Sequence, residues 1–247
     1  MDPCAPSDLV RAIAPTGTLR VAINYGNVVL AQTGPNGAPA GVTADLAREL
    51  GRRLAVPVRF TTYDTAGKVV EALGGDRPWD MAFLAIDPLR AETIAFSPPY
   101  VIIEGAYMVP ATSTIACNDD VDRAGIRIAV GRDTAYDLHL GRHLKAAERV
   151  FAPTSAAALE RFERGDVDAV ASVRQPLEAR ARGRTDVRVL PGSFMAIRQA
   201  IAIPRGRPLA DGYIHAFIEA LKQDGFVARS LERSGQHEAV VAAGHRS

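Results

Sequence analysis

The order strand, helix, strand, helix, strand occurs twice in this chain, and that repetition limits its fold more than any other feature. In the first half the pattern predicts a strand over residues 18–23, a helix over 43–54, a strand over 58–61, a helix over 68–73 and a strand over 79–86. Leu46, Leu50 and Leu54 recur every four residues, the spacing of one helical face. The last strand is nearly continuous in apolar residues, as a strand buried on both faces is. The second half repeats the series: strand 127–130, helix 134–147, strand 149–151, helix 155–164 and strand 168–173. The punctuation repeats too, since Gly75-Asp76 and Asp80 stand before one closing strand as Gly165-Asp166 and Asp168 stand before the other. Two such units imply an α/β protein of two lobes, each with a mostly parallel sheet.

The segments between the units fix the domain plan. Residues 100–109 are β-rich and long enough to cross from one lobe to the other, and 194–203 form a second apolar crossing. A helix over 209–223, stopped by Gly225, and another over 226–233 follow, and the tail 239–247 reads as frayed. Two crossovers make the first lobe discontinuous: 1–109 with 195–247 form lobe 1, and 110–194 form lobe 2. Hinges are expected near 107–111 and 192–196. Ligands of open α/β sheets sit at the carboxyl ends of the strands, so the ligand cleft is expected between the lobes.

Composition removes several function classes. The net charge is +1, and the arginines are interspersed with acids, which argues against a nucleic-acid partner. No apolar run approaches the roughly 18 residues of a membrane helix. Residues 1–16 lack a basic-then-apolar leader, so the chain is either cytosolic or the mature form of an exported protein. Cys4 and Cys117 are far apart without metal-spaced neighbours, and they are expected as thiols. His139 and His143 stand four apart on a helix, but no third ligand is evident, so no metal and no cofactor are expected. Ser97 lacks a nucleophile-elbow context, and no catalytic residue stands out.

The segment 80–100, DMAFLAIDPLRAETIAFSPPY, is the most informative. Its strand ends at Ile86, and Asp87-Pro88 reads as an N-cap followed by proline at the first helical position. Arg90 then falls in the first helical turn, beside unsatisfied N–H groups, where an anion gains a bidentate guanidinium pair as well. A surface pair of Arg90 with Asp87 or Glu92 accounts for the same pattern. In the second half, the strand 127–130 runs through Gly131-Arg132-Asp133-Thr134 into a helix, a turn that presents N–H groups and a hydroxyl to an anion.

The spacing of Arg90 to Phe96-Ser97-Pro98-Pro99-Tyr100 resembles the signature of the family 3 bacterial solute-binding proteins, periplasmic receptors of polar amino-acid ABC importers with the type II periplasmic binding protein fold. The opening Gly17-Thr-Leu-Arg-Val21 strand, the GVTADLARELGRRL helix, the GDVDAV run, Ile201 to Gly206 and Leu221 to Gly225 extend the likeness over most of the chain. The resemblance implies a periplasmic, monomeric binding protein that closes on a small carboxylate-bearing ligand and delivers it to a transporter permease. It gives Arg90 the ligand carboxylate and gives the turn at Thr134 the same carboxylate from the opposite lobe.

Several positions depart from the family pattern. Asp133 replaces the usual glycine, either as a helix cap or as a ligand contact. Ala85 stands where a serine or threonine often bonds the ligand. Arg174 follows Val173 where a carboxylate for an α-ammonium is usual; it either suits a second carboxylate or keto group or points to solvent. Asn24, Tyr25 and Asn27 follow the first strand and are expected to touch the ligand side chain. Glu104, in the first crossover, is expected as an interlobe hydrogen-bond partner. Relatives of this fold include cyclohexadienyl (arogenate/prephenate) dehydratases, so a lyase using Glu104 or Asp133 as a cleft acid is the alternative to a binding protein. The sensor lobe of a larger regulator is a third reading.

Overall fold

The computed structural model describes residues 7–76 and 78–244, which places Cys4 outside the described residues. The chain forms two compact units, residues 1–102 with 198–247 (unit 1) and residues 103–197 (unit 2).

Unit 1 begins with helix α1 (Ser7–Ile13) and strand β1 (Leu19–Asn24), then a hairpin of two short strands, β2 (Gln32–Thr33) and β3 (Pro39–Ala40). Helix α2 (Val42–Leu54) buries Leu46, Leu50 and Leu54, the face that the four-residue spacing predicts. Strand β4 (Val58–Tyr63), helix α3 (Ala66–Ala72), strand β5 (Met81–Ala85) and the short β6 (Ile94–Phe96) follow. The chain leaves unit 1 within β7 (Val101–Pro110). The sheet is β4–β1–β5 in parallel, with β1 and β4 paired from Leu19↔Val58 to Asn24↔Tyr63. Parallel pairing puts the carboxyl ends of β1 and β5 at one edge of the sheet. All five residues of β5 are buried, as their apolar run requires. Under this sheet Ala22, Val69, Trp79, Ala82, Leu84 and Ile94 form a core, where the Trp79 indole donates to the Val69 carbonyl at 2.7 Å.

One buried carboxylate fixes β5 beside β1. Asp80 is wholly buried and accepts from the Arg20 backbone N–H (3.1 Å), Nε (2.8 Å) and Nη2 (2.6 Å). Its own N–H donates to the Arg20 carbonyl at 2.8 Å. A buried charge persists only where it is paired and hydrogen-bonded in this way.

Unit 2 repeats the plan with β8 (Arg127–Gly131), helix α4 (Ala135–His143), β9 (Glu148–Ala152), helix α5 (Ser155–Glu163), β10 (Ala169–Val173), helix α6 (Arg174–Ala181) and β11 (Val187–Val189). Strands β9, β8 and β10 are parallel, and β7 joins β10 and β11 antiparallel. Ala106, Met108, Ala129, Phe162, Val170 and Leu177 form its core. Asp168 bonds the Arg127 backbone N–H at 2.8 Å and its N–H returns to the Arg127 carbonyl at 2.9 Å, the same device as Asp80 and Arg20. Here the carboxylate is 39% exposed rather than buried.

The chain returns to unit 1 within β12 (Met195–Pro204), which pairs antiparallel with β5 and β6. Helices α7 (Pro208–Gln223) and α8 (Phe226–Arg233) and strand β13 (Val240–Val241) complete it. The frayed tail is corrected: β13 pairs with Val101 and Ile102. The helix expected over 134–147 ends at His143, because the Asp122 carboxylate takes the N–H groups of Lys145, Ala146 and Ala147 at 2.8–3.1 Å. Those bonds hold the Asp122 carboxyl below its ordinary range.

Two expectations follow for stability. Asp80→Ala leaves the half-buried Arg20 without its partner and costs about 3–5 kcal/mol. Asp168→Ala removes an exposed pair and costs about 1 kcal/mol or less. Urea midpoints of the two variants test this contrast. On α2, Arg52 and then Arg53 bond Glu49 and push its carboxyl down from 4.5 to about 2. The lowered value means that Glu49 contributes its stability above about 4.5 and loses it as pH falls toward about 2. The urea midpoint of Glu49→Gln therefore approaches that of the unaltered chain as pH is lowered through this window.

Candidate functional site

In unit 1, β1 delivers Asn24, Tyr25 and Asn27 to the same sheet edge at which β5 ends in Ala85. The loop after β1 turns sharply at Gly26, where a Cβ would lie 2.5 Å from the Asp64 carbonyl oxygen. The Gly26 N–H donates to Asn24 Oδ1 at 2.9 Å, so the Asn24 amide group is oriented with its nitrogen away from the turn. Asn27 closes the loop, its carbonyl accepting from Leu30 and Ala31 at 3.1 and 3.0 Å. The hydroxyl of Tyr25 and Oδ1 of Asn27 are buried without a protein partner.

Past β5 the chain takes a single 3-10 turn over Arg90–Glu92 rather than the start of an α-helix. Capping by Asp87 is corrected as well: the N-cap is Leu89, without a side-chain cap bond, and Asp87 accepts from the Leu89 N–H at 3.0 Å ahead of the turn. One turn sums few peptide dipoles, so the helix-dipole part of the expectation at Arg90 is withdrawn. What replaces it is burial. Arg90 is 4% exposed, and its Nη1 donates to the Ala85 carbonyl at 3.2 Å. Ala85 thus acts through its backbone, orienting the guanidinium across the end of its own strand.

The Phe96–Tyr100 run secures this edge. Ser97 exchanges bonds with Ile201 on β12, its N–H reaching the Ile201 carbonyl at 2.9 Å and its Oγ accepting from the Ile201 N–H at 3.0 Å. Tyr100 is fully buried, edge to face with Phe83 at 6.0 Å. The signature residues are therefore a brace that carries the chain from Arg90 back into the sheet.

In unit 2, β8 delivers Asp133 and Thr134 to the edge where β10 ends in Val173 and α6 begins at Arg174. Thr134 is the cap of α4: its Oγ1 accepts from the Asp137 N–H at 3.1 Å and donates to the Gly131 carbonyl at 2.8 Å. Capping by Asp133 is thereby corrected. Asp133 has φ +58°, the left-handed region that glycine occupies most cheaply and aspartate tolerates. The residue that the sequence reading missed is Asp137. It is buried, takes the Asp133 N–H on Oδ2 at 2.8 Å and holds Arg149 Nη1 on Oδ1 at 2.6 Å. The spacing Thr134-x-x-Asp137 is that of a capping box, the signal that would have found it.

Arg174 is tied within its own unit. Its Nε donates to Glu104 at 2.8 Å, its Nη1 to Glu178 at 3.2 Å and its Nη2 to the Gly192 carbonyl. Glu104 was expected to bond across lobes, but its ion pair with Arg174 lies inside unit 2. His139 and His143 stack at 3.9 Å, and among the described residues no three metal-ligating side chains come together. No helix among the described residues is long and apolar enough to cross a membrane.

The sequence over residues 19–237 matches the family described as bacterial extracellular solute-binding proteins, family 3. The chain belongs to this family. Among solved structures, ArgBP from T. maritima, in a mutant form, is 22% identical with a TM-score of 0.76, covering 92% of this chain and 99% of that one. An ancestral amino acid-binding protein, a precursor of cyclohexadienyl dehydratase, is 23% identical with a TM-score of 0.76 over 92% and 99%. A histidine kinase sensor domain with similarity to periplasmic binding proteins is 21% identical with a TM-score of 0.75 over 91% and 98%. A search of curated protein sequences finds no match. At these identities the likeness establishes the fold, the type II periplasmic binding protein fold.

The turn at Asp133 supplies a test of its own. Asp133→Gly relieves the left-handed backbone and raises stability by up to about 1 kcal/mol. Asp137→Ala strips a charged acceptor from the same turn and lowers stability by about 1.5–3 kcal/mol. Thermal denaturation of both variants checks the opposite signs.

Proposed function

We propose that this family 3 protein captures a small carboxylate-bearing ligand, an amino acid or a related organic acid, for an ABC importer. The observation that carries the reading is Arg90, buried at the carboxyl end of β5 and oriented by the Ala85 carbonyl. A guanidinium held in this way has little rotamer entropy left to lose when it grips a planar carboxylate in bidentate geometry. The turn from Gly131 to Thr134 gives unit 2 its anion-binding counterpart, and capture consists of bringing both half-sites onto one ligand. Asn24, Tyr25 and Asn27 face the remainder of the ligand. Arg174 acts at the edge of unit 2, with Glu104 and Glu178 sharing its charge. Affinity in the micromolar range corresponds to about −8 kcal/mol. In the cell such a receptor works in the periplasm, as the family's extracellular role supports.

A thermal-shift screen of amino acids, dicarboxylates and keto acids tests the reading. At least one carboxylate compound raises the melting temperature of the intact chain, and Arg90→Ala abolishes the shift. Full retention of the shift in that variant sinks the anchor assignment.

The lyase reading draws on the dehydratase-precursor neighbour. A dehydratase needs a cleft acid that holds its proton near neutral pH. Glu104, one of its two candidates, is instead paired with Arg174, which favours binding over chemistry. Turnover of prephenate or arogenate by the purified protein would reverse this preference.

A further inference from the structure

Behind the ligand edge of unit 1 lies a recess lined by Asn24, Asn27, Thr43, Phe83, Tyr100 and Gln199, with room for about one water molecule. Two buried polar atoms of its lining residues have no partner in the protein: the Tyr100 hydroxyl and Asn27 Oδ1. Tyr100 is 0% exposed, and burial pushes its hydroxyl far above the ordinary tyrosine value, so it keeps its proton and remains a donor. The Thr43 hydroxyl is committed to the Leu30 carbonyl at 3.1 Å. A polar recess of this size beside two orphaned groups is the setting in which proteins hold a structural water.

We propose that the recess is a water site in which one water accepts from the Tyr100 hydroxyl and donates to Asn27 Oδ1, fixing the Asn27 amide with its nitrogen toward the ligand. The Gly26 N–H imposes the same sense on Asn24. Both amides then offer donors to the ligand, so unit 1 selects a ligand whose distal end carries an oxygen acceptor, such as a second carboxylate, over one ending in an ammonium. Tyr100 is a positioning residue in this scheme, acting through the water. The selectivity rests on the carboxylate-capture reading above; the water does not.

Crystals of the full chain and of Tyr100→Phe, together with calorimetric titration of succinate and 4-aminobutyrate, test this inference. The unaltered protein shows a water bridging Tyr100 and Asn27, and it binds succinate about tenfold more tightly than 4-aminobutyrate, the worth of one charge-assisted hydrogen bond. In Tyr100→Phe the water is lost and the preference falls toward unity, whereas loss of packing alone would weaken both probes alike. Asn27→Asp, which exchanges a donor for an acceptor, shifts the preference toward 4-aminobutyrate and serves if the phenylalanine variant does not fold. An empty recess overturns the water site. A preference for 4-aminobutyrate, an unchanged ratio in both variants, or binding of neither probe overturns the selectivity. Arg90→Ala separates the readings: loss of both probes there with an unchanged ratio in Tyr100→Phe leaves the capture reading standing, and binding retained there removes it.

Discussion

The contact between Asp80 and Arg20 is the constraint on which the site in unit 1 depends. A carboxylate with no exposure is expensive unless its oxygens are filled, and three Arg20 donors fill them. Because one donor is the Arg20 backbone N–H, the bond fixes the register of the strands as well as a side chain. With β5 held beside β1 at Val21↔Met81, the strand runs out at Ala85, level with the loop that starts at Asn24. The Ala85 carbonyl is then in place to orient Arg90. A one-residue slip of β5 would turn its side chains to the opposite faces and carry the strand end away from β1's loop. The position of a charged side chain at one end of the strand is thus set by a charged side chain at the other.

Unit 2 uses the same arrangement with less burial. Asp168 bonds the Arg127 N–H as Asp80 bonds that of Arg20, but both side chains of the pair stay substantially exposed. Water competes for that carboxylate, so the register of β8 and β10 relies more on the apolar core around Val170 and Phe162. The repeated punctuation before the two closing strands is therefore a repeated hydrogen bond, with different weight in each unit.

The strand–helix order, the α2 face and the polar breaks were legible because they follow from local periodicity and turn chemistry. Helix α8 was legible to the residue, since Gly225 at φ +76° marks its start. What escaped was set by partners distant in sequence. Asp122 ends α4 from more than twenty residues upstream, and β13 exists only because Val101 and Ile102 offer an edge. The bond from Arg90 to Ala85 was hidden because alanine's backbone carbonyl leaves no trace in residue type. The bonds of Arg174 to Glu104 and Gly192 join positions that no local pattern connects. Asp137 was legible in principle, from its capping-box spacing to Thr134, although its carboxylate takes the N–H of Asp133 rather than that of the cap residue.

Asp137 also changes how the turn in unit 2 must be understood. A helix N-terminus attracts anions because its first N–H groups lack acceptors. Here the chain supplies its own anion, since the Asp137 carboxylate takes the Asp133 N–H and is itself neutralised by Arg149. The Asp137 N–H is in turn taken by Thr134 Oγ1. The donors of this turn are thus partly spent within the chain itself. Arg149 reaches the turn through Asp137, so the charge balance of the turn is set by a contact between α4 and β9 rather than within the loop itself.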